Sequence, residues 1–206
     1  MTFEFMWSVI AFSFGMASTP GLNNTVVFAS GLNYGFFPTV PYILGVTTGL
    51  PLMIVAVAWG LGSFFEAFPQ AYLYLRYAGA AYILYLSWKI AAAPLPSKKD
   101  GQESEKTGNS PKGKRPTFWN GIVFQWVNPK AWILAMTGSA TYIGTDLPPA
   151  KLAFYSGTFA AACLLCLAVW CLGGVFSGRF IRSPRVHRII NGAMGLILAS
   201  SVVSLF

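Results

Sequence analysis

Twice in this chain a proline with polar neighbours sits in the middle of an apolar stretch long enough to cross a bilayer. Pro20 lies in Ala17-Ser18-Thr19-Pro20-Gly21-Leu22-Asn23-Asn24, and Pro129 in Gln125-Trp126-Val127-Asn128-Pro129-Lys130. Lipid offers no hydrogen bonds, so a spanning segment must satisfy its own backbone. A mid-span proline frees carbonyls that then need partners inside the protein. The two sites therefore demand helices, break two of them, and call for polar side chains at the breaks.

Composition supports a membrane chain. Of its 206 residues 55% are hydrophobic and 10% charged, against about 25% charged in a soluble domain. A spanning helix needs about 20 mostly apolar residues. Six such stretches fall at roughly 5–29, 39–64, 71–92, 118–140, 149–176 and 188–206. Residues 1–18 carry Glu4 and no Lys or Arg, so they read as an uncleaved first helix rather than a signal peptide. Trp7, Trp59, Trp88 and Trp119 fall near span ends, where aromatic belts form.

The net charge of +8 is not a nucleic-acid footprint, because its location speaks otherwise. Lys98, Lys99, Lys106, Lys112, Lys114 and Arg115 lie between the third and fourth stretches, and Arg179, Arg182, Arg185 and Arg188 between the fifth and sixth. Both loops fall on one side, which the positive-inside rule makes cytoplasmic and which puts both termini outside. The segment 94–117 is polar and too poor in apolar residues to order itself, so it reads as a flexible cytoplasmic linker.

The two prolines lie about 110 residues apart, and Gly45 with Gly157 and Gly79 with Gly192 repeat at similar offsets. The predicted fold is all-α integral membrane: six transmembrane helices as two inverted three-helix repeats, 1–93 and 118–206, with helices one and four broken. Gly45, Gly49, Gly79 and Gly192 are also expected to let helices approach closely.

Broken helices at matching positions of two repeats point to a transporter's substrate site. Thr19 and Asn128 each precede a proline and are good N-cap residues, so each break reads as the start of a half-helix. The two half-helix N-termini would face the midplane with free N–H groups, which bind carboxylates. Lys130 would stand near mid-span, where a lysine costs about 2.5 kcal/mol or more to insert. A substrate carboxylate, a wet cavity or carbonyls freed by Pro129 would satisfy it. Asn23, Asn24 and Gln125 can donate and accept, as a zwitterion requires, or bond between helices. The predicted substrate-binding set is Thr19, Pro20, Gly21, Asn23, Asn24, Gln125, Asn128, Pro129 and Lys130. Pro51, also mid-span, has only Thr47 and Thr48 as polar neighbours and reads as a hinge. Cys163 and Cys166 share a helix face without a His or acid, so they read as small hydrophobes and no metal site is expected. No His/Asp/Glu cluster falls in any span, so neither catalysis nor a cofactor is expected. His187, among arginines, reads as an interfacial anchor.

Thr19-Pro20-Gly21-Leu22-Asn23-Asn24, Asn128-Pro129-Lys130 and Gly79-Ala80-Ala81-Tyr82 resemble signatures of the lysine-exporter superfamily, in its homoserine/threonine resistance branch. The likeness covers nearly the whole chain. Ala78–Ile83, Trp88-Lys89-Ile90-Ala91 and Gln125–Asn128 look most like its cysteine and O-acetylserine exporters. Leu22 departs from the family's usual proline. The resemblance implies a bacterial inner-membrane efflux carrier for amino acids or derivatives, run on the proton gradient. Its partners would be a small amino acid, protons and membrane lipid, and a homodimer suits so small a carrier. The rival expectations are a metal or small-cation exporter, in which Cys163 and Cys166 matter, and a non-transporting adaptor that uses the basic loop.

Overall fold

A computed structural model gives the architecture and describes residues 1–93, 115–144, 146–181 and 183–205, without the side chains of Glu66, Tyr72, Arg179, Ser204 and Leu205. Most of the expected linker 94–117, and with it the lysines used for orientation, lies outside the described residues. Among those residues the chain is helical throughout, in the order α1 (Phe3–Ser18), α2 (Leu22–Tyr34), α3 (Phe36–Ala56), α4 (Gly62–Ala67), α5 (Pro69–Ala91), α6 (Phe118–Val127), α7 (Pro129–Gly138), α8 (Pro149–Phe180) and α9 (Pro184–Ser200).

By length and composition three helical stretches can cross a membrane: Phe36–Phe65, Pro149–Gly178 and Pro184–Val203. A fourth is the pair α1 and α2, bent by 54° at the first break. The expected spans at 71–92 and 118–140 do form helix, but less apolar or shorter helix. α5 carries Arg76, Lys89 and five tyrosines, and the second break divides its stretch into two helices of 10 residues each.

The breaks follow local chemistry. α1 starts at Thr2, whose hydroxyl accepts from the Phe5 N–H. It stops where Ser18 and Thr19 turn their hydroxyls back onto the Phe14 and Gly15 carbonyls. Pro20 then holds Thr19 out of the helical region, at φ −61° and ψ 129°. α6 opens on a capping box between Thr117 and Asn120 and ends where Pro129 forces Asn128 extended. α3 passes through Pro41 and Pro51 without interruption. Its break comes later, in a π-helical turn at Val57–Leu61, where Gly60 takes φ +106°, a conformation only glycine adopts readily. The Thr47 hydroxyl, one turn before Pro51, is buried without a partner.

α8 runs through the centre and packs against α1, α2 and α3; α3 also packs on α6, and α9 on α5 and α2. Two crossings are as close as backbones allow. At α2–α8 a Cβ on Gly31 would overlap the Cys171 carbonyl, and one on Gly174 the Phe28 carbonyl. At α3–α6 a Cβ on Gly45 would overlap the Phe118 carbonyl. Gly49 and Gly79 are also tight, but Gly192 and Gly157 have open space. Gly195, one turn on from Gly192, makes the close approach instead, against the Ser87 carbonyl of α5.

Gly45→Ala is therefore expected to destabilise the protein in detergent by about 1–3 kcal/mol through overpacking. Gly157→Ala and Gly192→Ala should stay within about 0.5 kcal/mol of the parent. Thermal unfolding followed with a thiol-reactive dye checks this, because Cys163 and Cys171 are buried in the fold.

Candidate functional site

The two breaks meet. The Lys130 ammonium, on the first turn of α7, donates to the Thr19 carbonyl at the end of α1, 2.9 Å away. The carbonyl it satisfies belongs to the other break, where α1 ends, and not to the break at Pro129. Asn24 supports the same chain end, its Nδ2 donating to the Ala17 and Thr19 carbonyls at 3.3 Å each. The lysine passes alongside Gly21: a Cβ there would stand in van der Waals contact, 3.4 Å from Lys130 Cδ and 3.5 Å from Nζ.

Between these groups lies a cavity of about 40 Å³, room for a few waters as it stands. Gly21, Asn23, Asn24, Gln125, Asn128 and Lys130 line it. Six of the nine predicted residues thus converge on one space. Thr19, Pro20 and Pro129 do not line it and instead set the backbone around it. Asn23 and Gln125 exchange hydrogen bonds, Asn23 Nδ2 to Gln125 Oε1 at 3.1 Å and Gln125 Nε2 to Asn23 Oδ1 at 3.4 Å. Gln125 Nε2 also donates to the Gly121 carbonyl, and the Tyr42 hydroxyl donates to Asn23 Oδ1. Gln125 is fully buried and Asn128 is 3% exposed, so these amides belong to the interior rather than to a solvated face.

The two half-helix starts are not equivalent, which corrects the symmetric expectation. Asn128 is the N-cap of α7, its Oδ1 accepting from the Lys130 N–H at 3.1 Å, with Pro129 in the first helical position. The Asn128 carbonyl accepts from Ala131. That end is closed. Thr19, by contrast, caps the end of α1, and α2 starts two residues later behind Gly21, with no side-chain cap. No hydrogen bond among the described residues takes up the Leu22, Asn23 or Asn24 backbone N–H. Positive potential from the helix end and from the Lys130 ammonium therefore gathers at α2. Among the described residues the lining holds no carboxylate to neutralise it.

The apolar wall was not read from the sequence. It comes from Met16 of α1, Val46 and Leu50 of α3, and Phe159, Cys163 and Leu167 of α8. The last three recur every fourth residue and so share one helix face, but every face of α8 is apolar, which hides the signal. Cys163 and Cys166 part company: Cys166 lines a separate cleft with Phe14, Ser18 and Trp170. Among the described residues no group of three or more His, Cys, Asp or Glu side chains gathers as a metal site would need. His187 is not an exposed anchor but 3% exposed and bonded to Asn33.

Asn128→Ala should lower stability by about 0.5–2 kcal/mol through the lost cap. Thr19→Ala, which removes no N-cap, should change it by less than about 0.5 kcal/mol. Equal losses in thermal unfolding would contradict the asymmetry.

The model of the LysE type translocator family matches residues 14–205. The cysteine/O-acetylserine efflux protein of Escherichia coli (strain K12) is 29% identical over 200 residues, covering 92% of this chain and 91% of that protein. The protein of the same name from Shigella sonnei (strain Ss046) is similar to the same degree. No solved structure matches.

Proposed function

The chain belongs to the LysE type translocator family, a transporter rather than an enzyme, and from that premise we propose the following cargo, site and cycle. It exports a small zwitterionic amino acid or derivative, of the cysteine/O-acetylserine or homoserine/threonine type, across the bacterial inner membrane, driven by the proton gradient. One observation carries the reading: an uncapped helix start, a lysine and a set of amides line one cavity.

In this reading the substrate carboxylate takes the Leu22, Asn23 and Asn24 N–H groups and the Lys130 ammonium. The substrate ammonium goes to the amide oxygens of Asn23 and Gln125, which exchange their mutual bonds for bonds to it. Asn128 holds Lys130 in place by capping its helix. The name of the Escherichia coli relative supports the cysteine/O-acetylserine choice.

Six spans in two inverted units, 1–93 and 118–206 joined by a cytoplasmic linker 94–117, suit such a carrier. The helix pairing supports this. If α1–α2, α3 and α5 correspond to α6–α7, α8 and α9, then the α1–α8 crossing maps onto α6–α3, and α2–α8 onto α7–α3. Each of these four pairs is in contact. Both termini would be periplasmic, a homodimer would be the assembly, and Pro20, Pro51 and Pro129 would be the bending points of alternating access. The metal-cargo reading has less support, since Cys163 and Cys166 line different clefts.

Uptake into inverted membrane vesicles with an acid interior tests the proposal, using labelled cysteine, O-acetylserine, threonine, leucine and lysine. One of the amino acids should accumulate. Asn23→Ala should raise its half-saturation concentration, and Lys130→Met should do so about tenfold or more, as loss of a charge-assisted bond of about 1.5–3 kcal/mol implies. Specific uptake that survives Lys130→Met, Asn23→Ala and Asn128→Ala together would refute the site.

A further inference from the structure

The chain's one histidine is placed where a proton could matter. His187 lies in the first turn of α9, and Asn191 follows four residues later on the same face. Both meet Asn33 near the end of α2. Asn33 Nδ2 donates to the Ala29 carbonyl at 2.7 Å and to Asn191 Oδ1 at 2.9 Å, and Asn33 Oδ1 accepts from Asn191 Nδ2 at 2.9 Å. With its nitrogen spent on two acceptors, Asn33 can offer only Oδ1 to His187 Nε2, 3.0 Å away. Nε2 therefore carries the hydrogen, and in the neutral ring a second proton would go to Nδ1. His187, Asn191 and Asn33 are all buried.

The triad has neighbours that make its charge state consequential. A cleft of about 30 Å³ lined by Ser30, Asn33, Tyr34 and Lys89 lies against it and gives water a place to stand. Among the described side chains, the titratable or charged groups at this end of the packed elements are Tyr34 on α2, Lys89 on α5, Arg115 ahead of α6, and Arg185 and Arg188 on α9 itself. The turn that follows α9 has none. None of these groups is a carboxylate. A second proton on the ring would leave a buried cation among cations, with no carboxylate among the described residues to pair with it. The relief available is for α9 to part from α2 and let the ring reach the water of the cleft.

α2 links this event to the cavity. It is a continuous helix from Leu22 to Tyr34, and about 15 Å at helical rise separates Asn23, in the cavity, from Asn33 in the triad. A shift of its Asn33 end moves the helix start that the substrate carboxylate would occupy.

We propose that His187 is the proton-binding site of this carrier: neutral, it latches α9 to α2 through Asn33; protonated, it releases the latch and moves the substrate end of α2. The proposal rests on the proton-driven export reading above and assigns the coupling group that reading leaves open.

Two experiments test it on the full-length protein. In proteoliposomes, His187→Gln keeps an N–H donor for Asn33 but cannot take up a proton. It should lose accumulation driven by an imposed proton gradient while it retains exchange of labelled for unlabelled amino acid at zero gradient. Accumulation equal to that of the parent would overturn the proposal. So would loss of both activities in a variant that elutes and melts like the parent, which would mark the triad as structural only. The second experiment needs no variant. With imidazole nitrogens labelled and no histidine tag, the parent shows one ring by NMR. That ring should change from the Nε2–H form to the doubly protonated form as the pH is lowered across the range in which the protein stays folded, with a midpoint that moves when the transported amino acid is added. A ring that stays neutral throughout would overturn the proposal. If the parent moves none of the amino acids, the export reading fails, and the ring's own titration still decides whether His187 binds a proton.

Discussion

A helix that stops inside a membrane leaves carbonyls that lipid cannot satisfy, and a lysine inside a membrane carries a charge that lipid cannot solvate. Here the two problems answer each other. The Thr19 carbonyl, left over where α1 stops, accepts from the Lys130 ammonium of α7, and Asn24 joins it from α2. This contact ties the two halves of the chain together beside the cavity.

α2 carries polar groups at both ends and is packed along its middle. Its start has spare N–H groups and the Asn23–Gln125 pair; near its end Asn33 joins His187 and Asn191. Between them Gly31 sets it backbone to backbone against α8. α2 is thus the element through which the proposed coupling between the cavity and the histidine cluster would run.

The second break was legible because all of its chemistry is local. Asn128, Pro129 and Lys130 form a cap, a first helical residue and a charge within three positions, and the structure keeps that order. The first break looked the same on paper and is not. With Gly21 and Leu22 after Pro20, the chain delays the new helix by two residues, and Thr19 serves the old one. Gly192 is a similar case: its neighbour Gly195 makes the close contact, because which face of α9 meets α5 depends on packing across the chain. His187 seemed an interfacial anchor because its sequence neighbours are arginines. Its spatial neighbours are amides, one of them from a helix more than 150 residues earlier.

The sequence by itself determined that the chain is helical and apolar enough for a membrane, where two of its helices break, and which polar residues stand at the breaks. Those properties follow from backbone sterics and from the lack of hydrogen bonds in lipid, which act over a few residues. Only the tertiary structure decided that the breaks share one cavity, that Lys130 satisfies the other break's carbonyl, that one half-helix start is open and the other closed, and that the lone histidine is buried. Those outcomes depend on which helix faces which, and glycine crossings and amide pairs between segments far apart in the chain settle that only once the helices have packed.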